Sequence, residues 1–167
     1  MDTELLVRNI VSVARLGKAY GLPVVLSTVN AAAGQGPTLP AIKDVLSDNL
    51  EIDRSPINSW EDVEFRKAVE ATGRKKLIMC ALWTEVCLAF PALDAMRAGY
   101  EVFPVVDAIG GTSVEAHRAG LERIVQAGAQ PISWVSLECE LQRDWARTKT
   151  VSAVVDIVLT SRLLKGV

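Results

Sequence analysis

The sequence is poor in the residues on which most metal and redox sites are built. It has one histidine, His117, and three cysteines, Cys80, Cys87 and Cys139, among 167 residues. A zinc site built on several histidines is therefore excluded, and so is a cysteine–histidine dyad that uses any histidine other than His117. The cysteines lack the spacing of a disulfide framework, so we expect a reducing compartment, the cytoplasm.

Long hydrophobic runs and blocks of like charge are also missing. The formal net charge is −2, and charged residues make up only 23% of the chain. This charge pattern argues against nucleic acid and against a membrane surface as partners. No apolar run is long enough to span a bilayer, and we expect no signal peptide. Half of the residues are apolar, so we expect a single domain, residues 1–167, with a large core.

Short apolar runs alternate with amphipathic helical patterns along the chain. Five runs predict strands, at residues 23–29, 51–55, 77–82, 101–107 and 132–137. This alternation indicates an α/β fold in which a mostly parallel sheet lies between two layers of helices. The strongly apolar helical pattern near the C-terminus, at about 151–164, predicts a helix that packs on a partner subunit.

The predicted strand at 77–82 leads directly into a helical segment. Thr84 is a candidate N-cap of that helix, which places Cys87 in the first helical turn. The unpaired amide groups and the positive end of the helix dipole lower the pKa of a thiol at such a position. The alternative is that Cys87 is a small buried side chain of the core.

Polar or reactive positions follow three of the predicted strands. Arg54 ends one strand, residues 83–87 follow the next, and Asp107 ends the one after that. Because sites in parallel sheets lie at the carboxyl ends of the strands, we expect these positions to converge. The alternative for Arg54 is a surface ion pair with Asp53 or Glu51, and the alternative for Asp107 is a helix cap or a turn.

Three segments carry a resemblance to a known family. They read Arg54-Ser-Pro-Ile-Asn-Ser-Trp-Glu-Asp, Ala71-Thr-Gly-Arg-Lys-Lys-Leu-Ile and Trp83-Thr-Glu-Val-Cys-Leu-Ala-Phe-Pro-Ala-Leu. The chain resembles the isochorismatase-like cysteine hydrolase superfamily, and within it the YcaC-related hydrolases. Further matches at 103–108, 126–130 and 139–145 extend the resemblance over essentially the whole chain. It implies a three-layer, doubly wound, mostly parallel α/β domain in a homo-oligomer.

The resemblance also implies a chemistry, hydrolysis of an amide or related carbonyl bond without metal or cofactor. Cys87 matches the nucleophile, which attacks a carbonyl carbon and forms a thioester that water then hydrolyses. Arg54 matches the cationic member, which would favour the thiolate but cannot act as a base. The family's cis peptide bond maps to Leu82–Trp83. The amide of Trp83 or Thr84, with that of Cys87, would then bind the oxyanion.

Other positions of the resemblance leave more than one interpretation. Asn58 and Trp60 match residues near the family's pocket and could line it, although a loop cap and a core ring explain them equally well. Cys80, in the middle of a predicted strand, is expected in the core. Cys139 has no assigned role, and the sequence does not identify the small-molecule substrate.

One feature of the family has no match in this chain. The family's catalytic acid ends a first strand that is central in the sheet, whereas this sequence opens with a helical pattern. We therefore expect a sheet that lacks its first, central strand. Two functions are consistent with that expectation: a cysteine hydrolase, or a catalytically degenerate or truncated family member that serves as a non-catalytic oligomeric subunit.

Overall fold

The computed structural model describes residues 2–161, which form an α/β fold. Its helices are α1 (Thr3–Ala19), α2 (Pro40–Val45), α3 (Val63–Ala71), α4 (Ala89–Arg97), α5 (Val114–Gln126), α6 (Trp134–Gln142) and α7 (Thr148–Thr160). Its strands are β1 (Leu26–Val29), β2 (Glu51–Arg54), β3 (Lys76–Met79) and β4 (Glu101–Pro104). Within these residues, no helix is both long enough and apolar enough to cross a membrane.

The strands form two parallel pairs. β1 pairs with β2, and β3 pairs with β4. Single bridges, from Leu82 to Gly110 and from Val105 to Ile132, extend the second pair. The parallel α/β architecture is confirmed, but among residues 2–161 no strand pairing joins the two pairs into the single sheet that the sequence predicted. The absence of a central strand stays a prediction.

The core consists of two apolar clusters. The first lies among α1, α6 and α7 and contains the fully buried Leu16. The second lies among α4, α5 and β4 and contains Leu88, Val102 and Ile124, which are also fully buried. Cys80 packs against both clusters, in agreement with the core position expected for it. Close packing on both sides therefore holds the segment that follows β3.

The prediction of a strand at 132–137 is wrong. Ile132 makes only a single bridge to the residue after β4, and α6 begins at Trp134. Ser133 caps this helix by accepting a hydrogen bond from the backbone of Ser136, and Asp107 accepts one from the Trp134 amide at 2.9 Å. Two caps at the first turn outweigh the β propensity of the apolar residues. Asp107 thus has the capping role left open by the sequence.

The C-terminal helix predicted at about 151–164 begins earlier and is α7, Thr148–Thr160. Residues 162–164 lie outside the described part of the chain. One face of α7 packs on α1 and α6, while Val155 and Leu159 on the other face are 42% and 58% exposed. The contact with a partner subunit stays a prediction.

Helix α5 lies against a π-helical turn, Thr84–Leu88, that leads into α4. We call this segment the π turn. A Cβ atom built on Gly120 of α5 would lie 2.6 Å from the Cα of Glu85 and 2.9 Å from its backbone nitrogen. Side-chain atoms do not approach backbone atoms so closely. The crossing of α5 over the π turn therefore requires a glycine at position 120.

Gly120→Ala should destabilise the protein, because the added methyl group has no space at this crossing. Gly17→Ala is the matched control, since a Cβ on this helical glycine would meet only the Val24 side chain, at 3.4 Å. We expect Gly120→Ala to lower the free energy of unfolding by about 1–3 kcal/mol. Gly17→Ala should leave it unchanged or raise it by up to about 1 kcal/mol. Urea unfolding measures both, and equal stability of the two variants would contradict the required glycine.

Candidate active site

Cys87 lies in the π turn, a few residues after β3. Its side chain is half-buried, and the thiol makes no hydrogen bond to any residue between 2 and 161. Leu88 and Ala89, immediately after it, are fully buried in the second core cluster and anchor the turn. Turns of π geometry within helices are frequent at functional sites. The local structure thus holds a partly accessible thiol on a rigid support.

Thr84 begins the π turn, and its predicted role as N-cap is wrong. The N-cap position belongs to Trp83, and no side-chain capping hydrogen bond forms. Thr84 is 0% exposed, and its hydroxyl lies 2.9 Å from Nδ1 of His117 on α5. Because the turn starts at Thr84 rather than after it, the hydroxyl is directed to the neighbouring helix instead of the amides of its own helix.

The candidate oxyanion donors differ in what they bind. The Leu82–Trp83 peptide bond is cis. The Thr84 amide donates a hydrogen bond to the carbonyl of Gly110 at 2.8 Å, which occupies it. The Trp83 amide makes no hydrogen bond of normal geometry within residues 2–161, and the Trp83 side chain is 43% exposed. Of these two amides, that of Trp83 is therefore the one without a hydrogen-bond acceptor in the described chain, and the Cys87 amide, the third candidate, stays a prediction.

Arg54 ends β2, where it is only 7% exposed. Its Nε donates to the Ser27 hydroxyl at 3.1 Å, and Nη1 donates to two carbonyls of the following loop, one of them that of Ile57 at 2.8 Å. Asp53 and Glu51 bind other groups instead. The alternative of a surface ion pair is thus excluded. Arg54 is a buried guanidinium whose charge no carboxylate cancels within the described chain.

Arg54 lies at the carboxyl end of β2 and Cys87 lies beyond that of β3, but these strands belong to different pairs. No hydrogen bond joins the two side chains in the part of the chain described. One cavity of about 270 Å³ lies beside α1 and α7 and another of about 450 Å³ beside the α6–α7 connection, and Arg54 and Cys87 line neither of these two.

Asn58 and Trp60 take the structural roles that the sequence left open. Asn58 accepts a hydrogen bond from the Trp60 amide at 3.0 Å and donates one to Asp94 at 2.7 Å, so its side chain caps a short 3-10 helix and ties it to α4. The Trp60 ring packs edge-to-face on Tyr100, with centroids 5.3 Å apart. Their place in a substrate pocket stays a prediction.

The other two thiols have unfavourable surroundings for ionisation. Burial, together with the negative charge of Asp107, raises the pKa of Cys80 to about 12. Burial also raises the pKa of Cys139, as does Glu138, whose carboxylate accepts a hydrogen bond from the Cys139 thiol at 3.3 Å. Both thiols are therefore held protonated near neutral pH, although Cys139 is exposed.

The contacts of Glu85 are a further feature of the site, and none of them was predicted from the sequence. Ser113 caps α5, and the adjacent Thr112 does not. Thr112 instead donates two hydrogen bonds to Glu85, from its backbone at 3.0 Å and from its hydroxyl at 2.7 Å. Burial opposes the charge of Glu85, but the bonds from Thr112, with help from His117, hold its pKa below the usual range. The sequence did contain a signal for this arrangement: two adjacent residues that can each cap a helix stand before α5, so one of them was free to bind another group.

Known proteins resemble this chain in sequence. A family model described as an isochorismatase domain matches residues 1–136. The probable hydrolase YcaC of Escherichia coli K12 is 41% identical over 138 residues, which are 82% of this chain and 66% of that protein. The chain thus spans just under two thirds of the length of that relative.

Solved structures give the same result. One similar structure is the crystal structure of the E. coli YcaC gene product, which is described as an octameric hydrolase of unknown specificity. The two structures align with a TM-score of 0.90 and 35% sequence identity, over 99% of this chain and 82% of the YcaC chain. YcaC from Pseudomonas aeruginosa, with hexane-2,5-diol and covalent acrylamide, has a TM-score of 0.86 and 32% identity, covering 96% and 84%. Since the family model matches most of the chain, this protein belongs to the isochorismatase family.

Proposed function

We propose that this protein is a cysteine hydrolase that cleaves an amide or related carbonyl bond of a small molecule. The observation that carries the proposal is the setting of Cys87, a half-buried thiol without a hydrogen-bond partner among residues 2–161, in the π turn between β3 and α4. The raised pKa values of Cys80 and Cys139 support the choice of Cys87 among the three thiols.

The reaction proceeds in two steps. Sγ of Cys87 attacks the carbonyl carbon, a carbon–sulfur bond forms, and the carbon–nitrogen bond breaks as the amine leaves with the thiol proton. Water then attacks the thioester, which releases the acid and restores the thiol. The Trp83 amide is the proposed donor to the oxyanion of each tetrahedral intermediate, and the loss of such a donor typically costs about 10²–10³ in rate.

Arg54 is the proposed electrostatic partner of this reaction. A guanidinium remains charged at all relevant pH values, so Arg54 cannot accept the thiol proton. Its buried charge is bound by neutral oxygens rather than by a carboxylate. It therefore keeps a positive potential at the strand ends, which favours a thiolate and a developing oxyanion.

The assembly is a further part of the proposal. The E. coli relative is described as an octameric hydrolase, and we propose that this chain also forms a homo-oligomer. The alternative of a non-catalytic subunit gains no support from the relatives, because the E. coli protein is described as a hydrolase.

Thiol labelling tests the assignment of Cys87. Acrylamide is a suitable probe, because it alkylates thiols and is bound covalently in the P. aeruginosa relative. Near neutral pH we expect Cys87 to react faster than Cys139, and Cys80 to react most slowly, as resolved by mass spectrometry of peptides. Cys139→Ser is the control and should leave the Cys87 rate unchanged. Equally slow reaction of all three thiols would contradict the assignment.

Hydrolysis of a panel of small amides tests the activity itself. For any amide that the parent protein cleaves, we expect Cys87→Ser to lower kcat/KM by roughly 10³-fold or more, because the thioester can no longer form. Cys139→Ser should retain the parent rate. A Cys87→Ser variant that hydrolyses the same amide at the parent rate would rule out the thioester route.

The charge of Arg54 is tested by two substitutions of similar length. Arg54→Met removes the charge, whereas Arg54→Lys keeps the charge but loses the planar guanidinium group with its fixed donor directions. We expect the acrylamide rate of Cys87 to fall by about tenfold in Arg54→Met, with a smaller fall in Arg54→Lys. Urea unfolding of both variants reports the cost of the unpaired loop carbonyls separately. Unchanged labelling in Arg54→Met would show that the guanidinium does not act on the thiol.

A further inference from the structure

We propose that His117 is a positioning residue for Cys87, which it holds in place through the hydroxyl of Thr84. The inference rests on the proposed hydrolase function and assigns a role to the chain's one histidine. His117 makes no hydrogen bond to Cys87 within residues 2–161, and its Nδ1 is occupied by Thr84. The contact that the structure shows therefore acts on the thiol through the π turn.

The Thr84 side of the contact with His117 is buried, whereas His117 itself is half-buried. The hydroxyl and Nδ1 are 2.9 Å apart, and Thr84 is 0% exposed. Since water cannot reach this hydroxyl, the loss of His117 would leave a buried polar group without a partner. Such a group either costs free energy or moves until it finds another partner. A movement of Thr84 is transmitted to Cys87, three residues later in the same turn.

The remaining contacts of Thr84 and Glu85 show that the segment 110–120 fastens this end of the turn. The Thr84 amide donates to the carbonyl of Gly110 at 2.8 Å, and Glu85 accepts both hydrogen bonds from Thr112. Gly120 lies against the Glu85 backbone. The His117 bond is the only one of these contacts that involves the Thr84 side chain, and it connects the turn to the interior of α5.

The other end of the π turn is fixed by packing. Leu88 is fully buried in the second core cluster, so Cys87 is held between a hydrogen-bonded end and an apolar end. Only the hydrogen-bonded end can be loosened by a polar substitution without opening a cavity in the core. A displacement of about 1 Å in a reacting group can cost roughly 10²-fold in rate. His117 thus controls the orientation of the thiol rather than the stability of the core.

Substitutions at position 117 separate positioning from a general structural role. Asparagine places a polar atom near the position of Nδ1, whereas glutamine reaches the position of Nε2, and phenylalanine keeps the ring without either nitrogen. All three are compared with the parent protein by the acrylamide rate of Cys87. Cys139, which is exposed and lies on α6, serves as the internal reference in each sample.

We expect the Cys87 rate to fall by about tenfold or more in His117→Phe and His117→Gln. His117→Asn should remain within about threefold of the parent rate, because it restores the hydrogen bond to Thr84. A His117→Gln rate equal to that of His117→Asn would overturn the inference, as would a His117→Phe rate equal to the parent rate. If His117→Phe does not fold, the comparison of the two amide variants decides.

Substitutions of the partner complete the test. Thr84→Ser keeps the hydroxyl and should label at close to the parent rate, whereas Thr84→Val removes it and should label as slowly as His117→Phe. In the double variant of Thr84→Val and His117→Phe, the fold decreases in the Cys87 labelling rate should not multiply, because both substitutions remove the same hydrogen bond. Multiplied losses would overturn the inference. If the parent protein is labelled by acrylamide at Cys87 but hydrolyses no amide, the hydrolase proposal is contradicted, whereas the positioning role of His117 is not.

Discussion

The contact between α5 and the π turn is the constraint on which the candidate site depends. The glycine at position 120 lets a helix backbone lie directly against Glu85, and this approach brings His117 to the buried hydroxyl of Thr84. A bulkier residue at the crossing would separate the two segments, and the hydrogen bonds that fasten the turn would lengthen together. The position of the Cys87 thiol is therefore set by a helix that contributes no atom to the proposed reaction.

The buried guanidinium of Arg54 is the second unusual feature. An ionised group inside a protein is costly unless its donors are satisfied. Here a serine hydroxyl accepts from Nε and two loop carbonyls accept from Nη1. Neutral acceptors leave the positive charge uncancelled, whereas a carboxylate partner would have removed most of its field. The same arrangement that makes burial tolerable thus preserves the potential that the proposed mechanism requires.

Elements whose signals are local were predicted well. Four of the predicted strands overlap β1 to β4, and a helical turn that holds Cys87 was expected after the third of them, although with Thr84 as its cap. The segment at 132–137 shows where such reasoning fails. Its apolar residues favour a strand, but the cap at Ser133 and the distant Asp107 together start a helix there. One of these two caps, Asp107, lies 27 residues before the amide that it binds, so the local sequence pattern did not include it.

By itself, the sequence determined the parallel α/β arrangement and the placement of Arg54 at the end of one strand and of Cys87 in the helical turn that follows another, because strand periodicity and chain order suffice for both. The tertiary structure alone decided what each polar side chain binds. Thr84 reaches a histidine 33 residues away, Asn58 reaches a carboxylate 36 residues away, and Glu85 reaches a threonine 27 residues away. Which partner each side chain binds depends on how distant segments pack together. That packing cannot be read from the residues next to each side chain in the sequence.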